Sequence, residues 1–136
     1  MKKTVYILMA ALLALVACEQ ERGMDAEMLS IDEYALEVNG KMVQTFGEGQ
    51  CQLSYNATRK EFRVGDDKMA EYYLLQCNKV PTAKGETLTA DLQWTMNQTV
   101  QKRPGVKFRV EKIDENGRIW LWASKEDVGV IIYKPQ

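Results

Sequence analysis

Glu86-Thr87-Leu88-Thr89-Ala90-Asp91-Leu92-Gln93-Trp94-Thr95-Met96 alternates apolar and polar residues along its length. Leu88, Ala90, Leu92, Trp94 and Met96 fall on one side of an extended chain, and Thr87, Thr89, Asp91, Gln93 and Thr95 on the other. A period of two marks a strand with one face in a core and the other in water. This stretch decides for β structure.

The flanking chain repeats the pattern in shorter pieces. Glu33–Val38 and Lys41–Phe46 enclose Asn39-Gly40, a pair suited to the φ > 0 positions of a tight hairpin. Gln50–Tyr55, Lys60–Val64 and Ala70–Asn78 follow, separated by turn residues. After Pro104-Gly105, Val106–Ile113 alternates again. Arg118–Ala123 and Val128–Tyr133 make a last hairpin around Ser124–Asp127. Short strands at this spacing predict an all-β domain over 31–136: a small antiparallel sandwich, or a lipocalin-like barrel, of about eight strands. A single helical turn is the most that 25–29 or 32–36 allows.

The N-terminus has a different character. Lys2 and Lys3 precede an apolar run from Thr4 to Val16, which Leu15-Val16-Ala17-Cys18 closes. Charged start, apolar middle and small-residue end are the order of a secretory signal. The run is short for a bilayer span, which takes about 20 residues. Leu15-Val16-Ala17-Cys18 resembles the bacterial lipobox. That resemblance implies cleavage before Cys18 and an acyl lipid on its thiol, with residues 1–17 as signal peptide and 18–30 as a polar tether. It places the protein in a bacterial envelope, lipid-anchored at the outer membrane and facing the periplasm or the surface.

Composition narrows the chemistry. Removing 17 of the 136 residues leaves 119, one ordinary domain. The signal holds two of eighteen basic residues and none of nineteen acidic ones, so the mature chain has sixteen against nineteen. A net negative domain argues against nucleic acid as a partner. The chain has no histidine, which rules out Ser-His-Asp and Cys-His catalysis and His-ligated metal sites. The serines Ser30, Ser54 and Ser124 lie in no nucleophile motif, and no glycine-rich nucleotide loop occurs. These absences predict a protein that is not an enzyme and holds no cofactor and no metal. Asp66-Asp67 with Glu71, and Asp114-Glu115-Asn116, lack calcium-loop spacing and read as turns.

Three groups of residues stand as candidate sites. Cys51 and Cys77 are a candidate disulfide outside the cytoplasm, or else two buried thiols. Trp120, Trp122, Ile131 and Tyr133 occupy the side of the last hairpin opposite its core face. They form either a recognition surface or a second face covered by the N-terminal segment or by barrel closure. Lys102, Arg103, Lys107 and Arg109 make a basic cluster around Pro104, suited to lipid headgroups or an acidic glycan, or to a solvated strand face.

The body plan resembles the small β-rich envelope lipoproteins of Bacteroides-like bacteria. That implies a non-catalytic binding module, held at the membrane by its lipid, for a ligand of unknown identity. Tyr73-Leu74-Leu75-Gln76-Cys77 with Gly85-Glu86-Thr87-Leu88-Thr89 resembles the cysteine-plus-strand core of membrane-bound lysozyme inhibitors. It supports the alternative of an envelope inhibitor or partner-binding protein acting through a loop, Met96–Gly105 or Ser124–Gly129.

Overall fold

The computed structural model describes residues 24, 26–47, 49–66, 68 and 70–135. The expected signal segment 1–17, Cys18 and the start of the tether lie outside the described residues. A short helix, α1 (Ala26–Leu29), is followed by β1 (Tyr34–Val38), β2 (Lys41–Phe46), β3 (Gln52–Asn56), β4 (Glu61–Gly65), β5 (Tyr72–Cys77), β6 (Thr87–Met96), β7 (Thr99–Ile113), β8 (Arg118–Ala123) and β9 (Val128–Tyr133). The strands form one antiparallel sheet in the order β2-β1-β9-β8-β7-β6-β5-β4-β3. β3 to β9 are thus an up-and-down meander, and the β1–β2 hairpin adds on beside β9. The all-β expectation holds, with nine strands curled into a half-barrel.

Contacts between strands far apart in the sheet show the curl. The Tyr73 hydroxyl on β5 donates to the Ile131 carbonyl on β9. Phe62 on β4 meets Tyr133 edge-on at 5.7 Å. Gln44 Nε2 on β2 donates to the Thr95 carbonyl on β6 at 2.8 Å and to Thr95 Oγ1 at 3.0 Å. The concave side is the core. Leu88, Ala90, Leu92 and Trp94 are buried in it while Thr87, Thr89 and Asp91 face water, as the alternation requires. Met96 departs from the pattern: it lies at the hairpin tip and is 39% exposed.

β7 is longer than the sequence suggests. Asn97 and Gln98 both take positive φ, 52° and 67°, and close a two-residue turn within the span expected as a loop. The chain then passes Pro104-Gly105 without leaving the sheet. The register shifts between Ala90 and Leu92, Gly105 adopts φ 64°, and its N–H donates to Asp91 Oδ1 at 2.8 Å. The extra residue on β7 makes room for a proline that cannot donate to the ladder. Met96–Gly105 is therefore a paired hairpin end, not a protruding loop. Ser124–Gly129 is also tied down, because the Glu126 carbonyl accepts from Arg103 Nη1 and the Asp127 carbonyl from the Asn39 N–H.

The last hairpin is buried on both sides. Ile119, Leu121, Val130 and Ile132 face the core, and α1 covers the other side. Trp120 Nε1 donates to the Met28 carbonyl at 3.0 Å. Lys112 Nζ donates to the Leu29 carbonyl at 3.2 Å and sits 4.5 Å above the Trp120 ring centre. Met24 packs at Gly129: a Cβ there would come within 3.3 Å of Met24 Cε and 3.5 Å of Trp122 Cε3. Met24 and Met28 are both buried, so Met24 and α1, inside the span 18–30 expected as a polar tether, pack on the sheet. No described helix is long and apolar enough to cross a membrane.

Met28→Ala removes the side chain that seals this contact. Buried Met→Ala changes cost about 2–5 kcal/mol. The low end, about 2 kcal/mol, is expected because so short a helix can detach and expose Trp120 instead of leaving a cavity. Urea unfolding measures it, and a loss under ~0.5 kcal/mol, the range of an ordinary surface change, contradicts the docking.

Candidate functional site

The four residues expected to form a recognition surface do not gather into one. Trp120 and Ile131 are 1% and 0% exposed, Trp120 bound to α1 and Ile131 beside it across the β8–β9 ladder. Tyr133 is half-buried, edge-on to Tyr34 at 6.4 Å and to Phe62 at 5.7 Å. Covering by the N-terminal segment, the other reading of these residues, is what the structure has. Trp122 alone reaches a groove.

That groove, about 540 Å³, lies across the convex face of β6, β7 and β8. The register builds it. Thr87 pairs with Arg109 and Arg109 with Trp122, making one row across three strands. Thr89 pairs with Lys107 in the next row on the same face. Adjacent strands are about 4.8 Å apart, so the first row spans about 10 Å. Asn78, Lys79 and Ser124 close the ends. Three cations, Lys79, Lys107 and Arg109, line the groove together with the Glu111 carboxylate. Arg109 Nη2 lies 3.4 Å from Glu111 Oε2, and Lys79 Nζ lies 3.7 Å from Glu86 Oε1. Lys107 is exposed and has no ion-pair partner among the described residues. Trp122 Nε1 is buried with no acceptor among them, and an unmade hydrogen bond of this kind costs about 1–3 kcal/mol. The arrangement can hold an anionic or hydroxyl-bearing group against an aromatic wall by charge and hydrogen bonding.

The basic cluster expected around Pro104 is split by the bulge. Lys107 and Arg109 stay in this groove. Arg103 is tied to the Glu126 carbonyl at 2.9 Å. Lys102 reaches a second, smaller groove of about 350 Å³, where Arg59 pairs with Glu61 at 2.8 Å and Arg63 lies 5.0 Å over the Tyr72 ring. The acidic turns hold their own backbone. Asp66 accepts from the N–H groups of Lys68, Ala70 and Glu71, and Asp114 from those of Asn116 and Arg118. Asp67 lies outside the described residues. Among the described residues, no group of three or more acidic or cysteine side chains is placed to hold a metal ion.

The candidate disulfide is corrected by register. Cys51 precedes Gln52, which is level with Gly65 and Tyr72, while Cys77 is level with Lys60 at the other end of the same strands. Five residues of strand separate the two levels, about 16 Å at ~3.3 Å each, and a disulfide needs Cα atoms within about 7 Å. The structure holds both as thiols. Burial pushes the Cys77 thiol up from its ordinary 9.0 to about 12. Burial also pushes the Tyr73 hydroxyl well above 10.0, with further contributions from Tyr34, Cys51 and Tyr133.

Comparison of the chain with protein-family models, with curated proteins and with solved structures finds no match.

Two outcomes follow for these groups. The intact mass of the native protein will be unchanged by reductant; a gain of two protons would show a disulfide and contradict the register. Cys77 and Tyr73 are held protonated by the fold, so the stability they contribute is full below pH 9 and is lost as pH rises from 9 toward 12 for Cys77, and above 10 for Tyr73. Each group can contribute up to about 1.4 kcal/mol per pH unit. Urea midpoints should be level between about pH 7 and 9 and fall above that; a midpoint still level at about pH 11 contradicts the burial of both.

Proposed function

We propose that the chain is a bacterial lipoprotein, held at an envelope membrane by an acyl lipid on Cys18, and that its half-barrel is a non-catalytic binding module whose ligand occupies the groove at Trp122. One observation carries the reading: the apolar run Thr4–Val16 follows two lysines and ends in Leu15-Val16-Ala17-Cys18. The groove supports the binding role, because it offers cations, hydroxyls and an indole beside the single carboxylate of Glu111. In bacteria expressing the full chain, labelled palmitate will be incorporated and the mature protein will partition into detergent. Cys18→Ala will lose the label and keep the precursor mass. A Cys18→Ala protein still processed to mature size and membrane-bound contradicts the lipid anchor.

A second reading, a partner-binding or inhibitor lipoprotein, is favoured by the tip of the β6–β7 hairpin. Met96 adjoins its turn and Val100 lies one residue past it on β7, and they are 39% and 51% exposed. Apolar residues exposed at a hairpin end suit contact with a partner's surface. If a stoichiometric envelope partner is captured by the parent and lost by Met96→Lys with Val100→Lys, but kept by Trp122→Ala, this reading replaces the first.

A further inference from the structure

Met24 is the place where the tether meets the domain, and it meets it beside the groove. Its Cε packs over Gly129, and the Trp122 ring, a wall of that groove, borders the same Gly129 hollow. Cys18 is six residues earlier in the chain. Six residues reach at most about 21 Å, against the roughly 40 Å that a tether running to residue 30 would allow. With the lipid on Cys18, the outer face of β8 and β9 cannot travel far from the headgroups. The groove opens on this face, one strand from Gly129.

The chemistry of the groove suits that position. Trp is the side chain that tolerates a polar–apolar boundary, with an apolar body and one N–H donor. Lys107 has no ion-pair partner among the described residues, Arg109 is hydrogen-bonded to Glu111 at 3.4 Å and Lys79 lies 3.7 Å from Glu86, so the groove carries three cations against the one lining carboxylate of Glu111. A cation close to an anionic leaflet contributes about 1 kcal/mol. The domain as a whole is net negative, so it has no general attraction to such a surface. A local cationic groove next to the anchor would supply both attraction and orientation. The anchor also makes the contact intramolecular in effect, at millimolar effective concentration, so weak individual contacts suffice.

We propose that the groove formed by Trp122, Lys107, Arg109 and Lys79 binds the anionic phosphate headgroups of the bilayer that carries the lipid on Cys18, and so fixes this face of the domain against the membrane. The inference rests on the lipid-anchor reading above.

Trp122 gives a direct readout, because Trp94 and Trp120 are 5% and 1% exposed and only Trp122 is half-buried. The processed, lipidated protein would be reconstituted into vesicles of phosphatidylcholine alone, and of phosphatidylcholine with phosphatidylglycerol. Quenching by acrylamide, a neutral quencher that no surface charge repels, would then be compared. The expected result is a quenching constant at least twofold lower in the anionic vesicles. The protection should vanish in ~1 M salt, where the screening length is about 3 Å. It should also vanish in Lys107→Glu with Arg109→Glu, and be partial in the milder Lys107→Gln with Arg109→Gln. These side chains are on the water face, so the variants should keep the parent's circular dichroism.

Equal quenching in both vesicles overturns the proposal. So does protection in neutral vesicles by added glycerol phosphate or inorganic phosphate that matches the anionic vesicles, because the groove would then be a site for a soluble anion. If the purified protein carries no lipid by mass, the anchor reading fails separately. The same quenching measured with the unlipidated protein and added anionic vesicles then tests the groove alone: protection lost in the charge-reversal variant supports headgroup binding, and its absence overturns it.

Discussion

The hydrogen bond from the Trp120 indole to the Met28 carbonyl is the contact on which the outer half of the domain depends. β8 and β9 carry apolar residues on both faces, so the hairpin has no side it can present to water. Without α1, Trp120 and Ile131 would form an apolar patch exposed to water. With α1 in place, the indole N–H has its acceptor and the Lys112 ammonium has both a carbonyl and a ring beneath it. Gly129 is part of the same device, since the absence of a side chain there leaves the hollow in which Met24 rests. Met24 and α1 are thus the last layer of the fold, and their docking sets Met24 against Gly129.

The opposite side of the sheet is held by different means. β1 pairs with β9 only over Leu36–Val38. Beyond that point the Ile131 carbonyl is taken by the Tyr73 hydroxyl from across the half-barrel. Gln44 and Thr95 make a similar link between β2 and β6, and Thr95 Oγ1 also donates to Glu71 Oε2 at 2.9 Å. Buried polar groups that satisfy one another across a curled sheet set its curvature more specifically than apolar packing alone, because each has a narrow range of distance and angle. Burial in this arrangement also pushes the Tyr73 hydroxyl well above its ordinary 10.0.

Much of this was legible in the residues. The alternation of Leu88 to Trp94, the Asn39-Gly40 turn and the last hairpin each follow from local period or turn chemistry, and the structure has them where that chemistry puts them. The turn at Asn97-Gln98 was not legible, since neither residue is glycine and both take positive φ only because the long β6–β7 ladder compensates. Pro104 read as the end of a loop because a bulge is a tertiary arrangement: it needs Asp91 on the neighbouring strand to accept the freed Gly105 N–H. The candidate site was half visible. Trp122, Lys107 and Arg109 stood out by type, but Thr87, Thr89 and Asn78 join them only through register. The coverage of Trp120 depends on a contact 92 residues distant in the chain.

Hydrogen exchange at the Trp120 indole tests this account most directly, read by nuclear magnetic resonance on the tryptophan side chains of the folded protein. If Met24 and α1 are a true layer of the fold, the Trp120 indole proton will be protected nearly as well as the amides of β8. Exchange at the rate of a solvent-exposed indole, with the β8 amides still protected, would show that the N-terminal segment leaves the sheet freely. The closeness of the groove to the tether would then be lost.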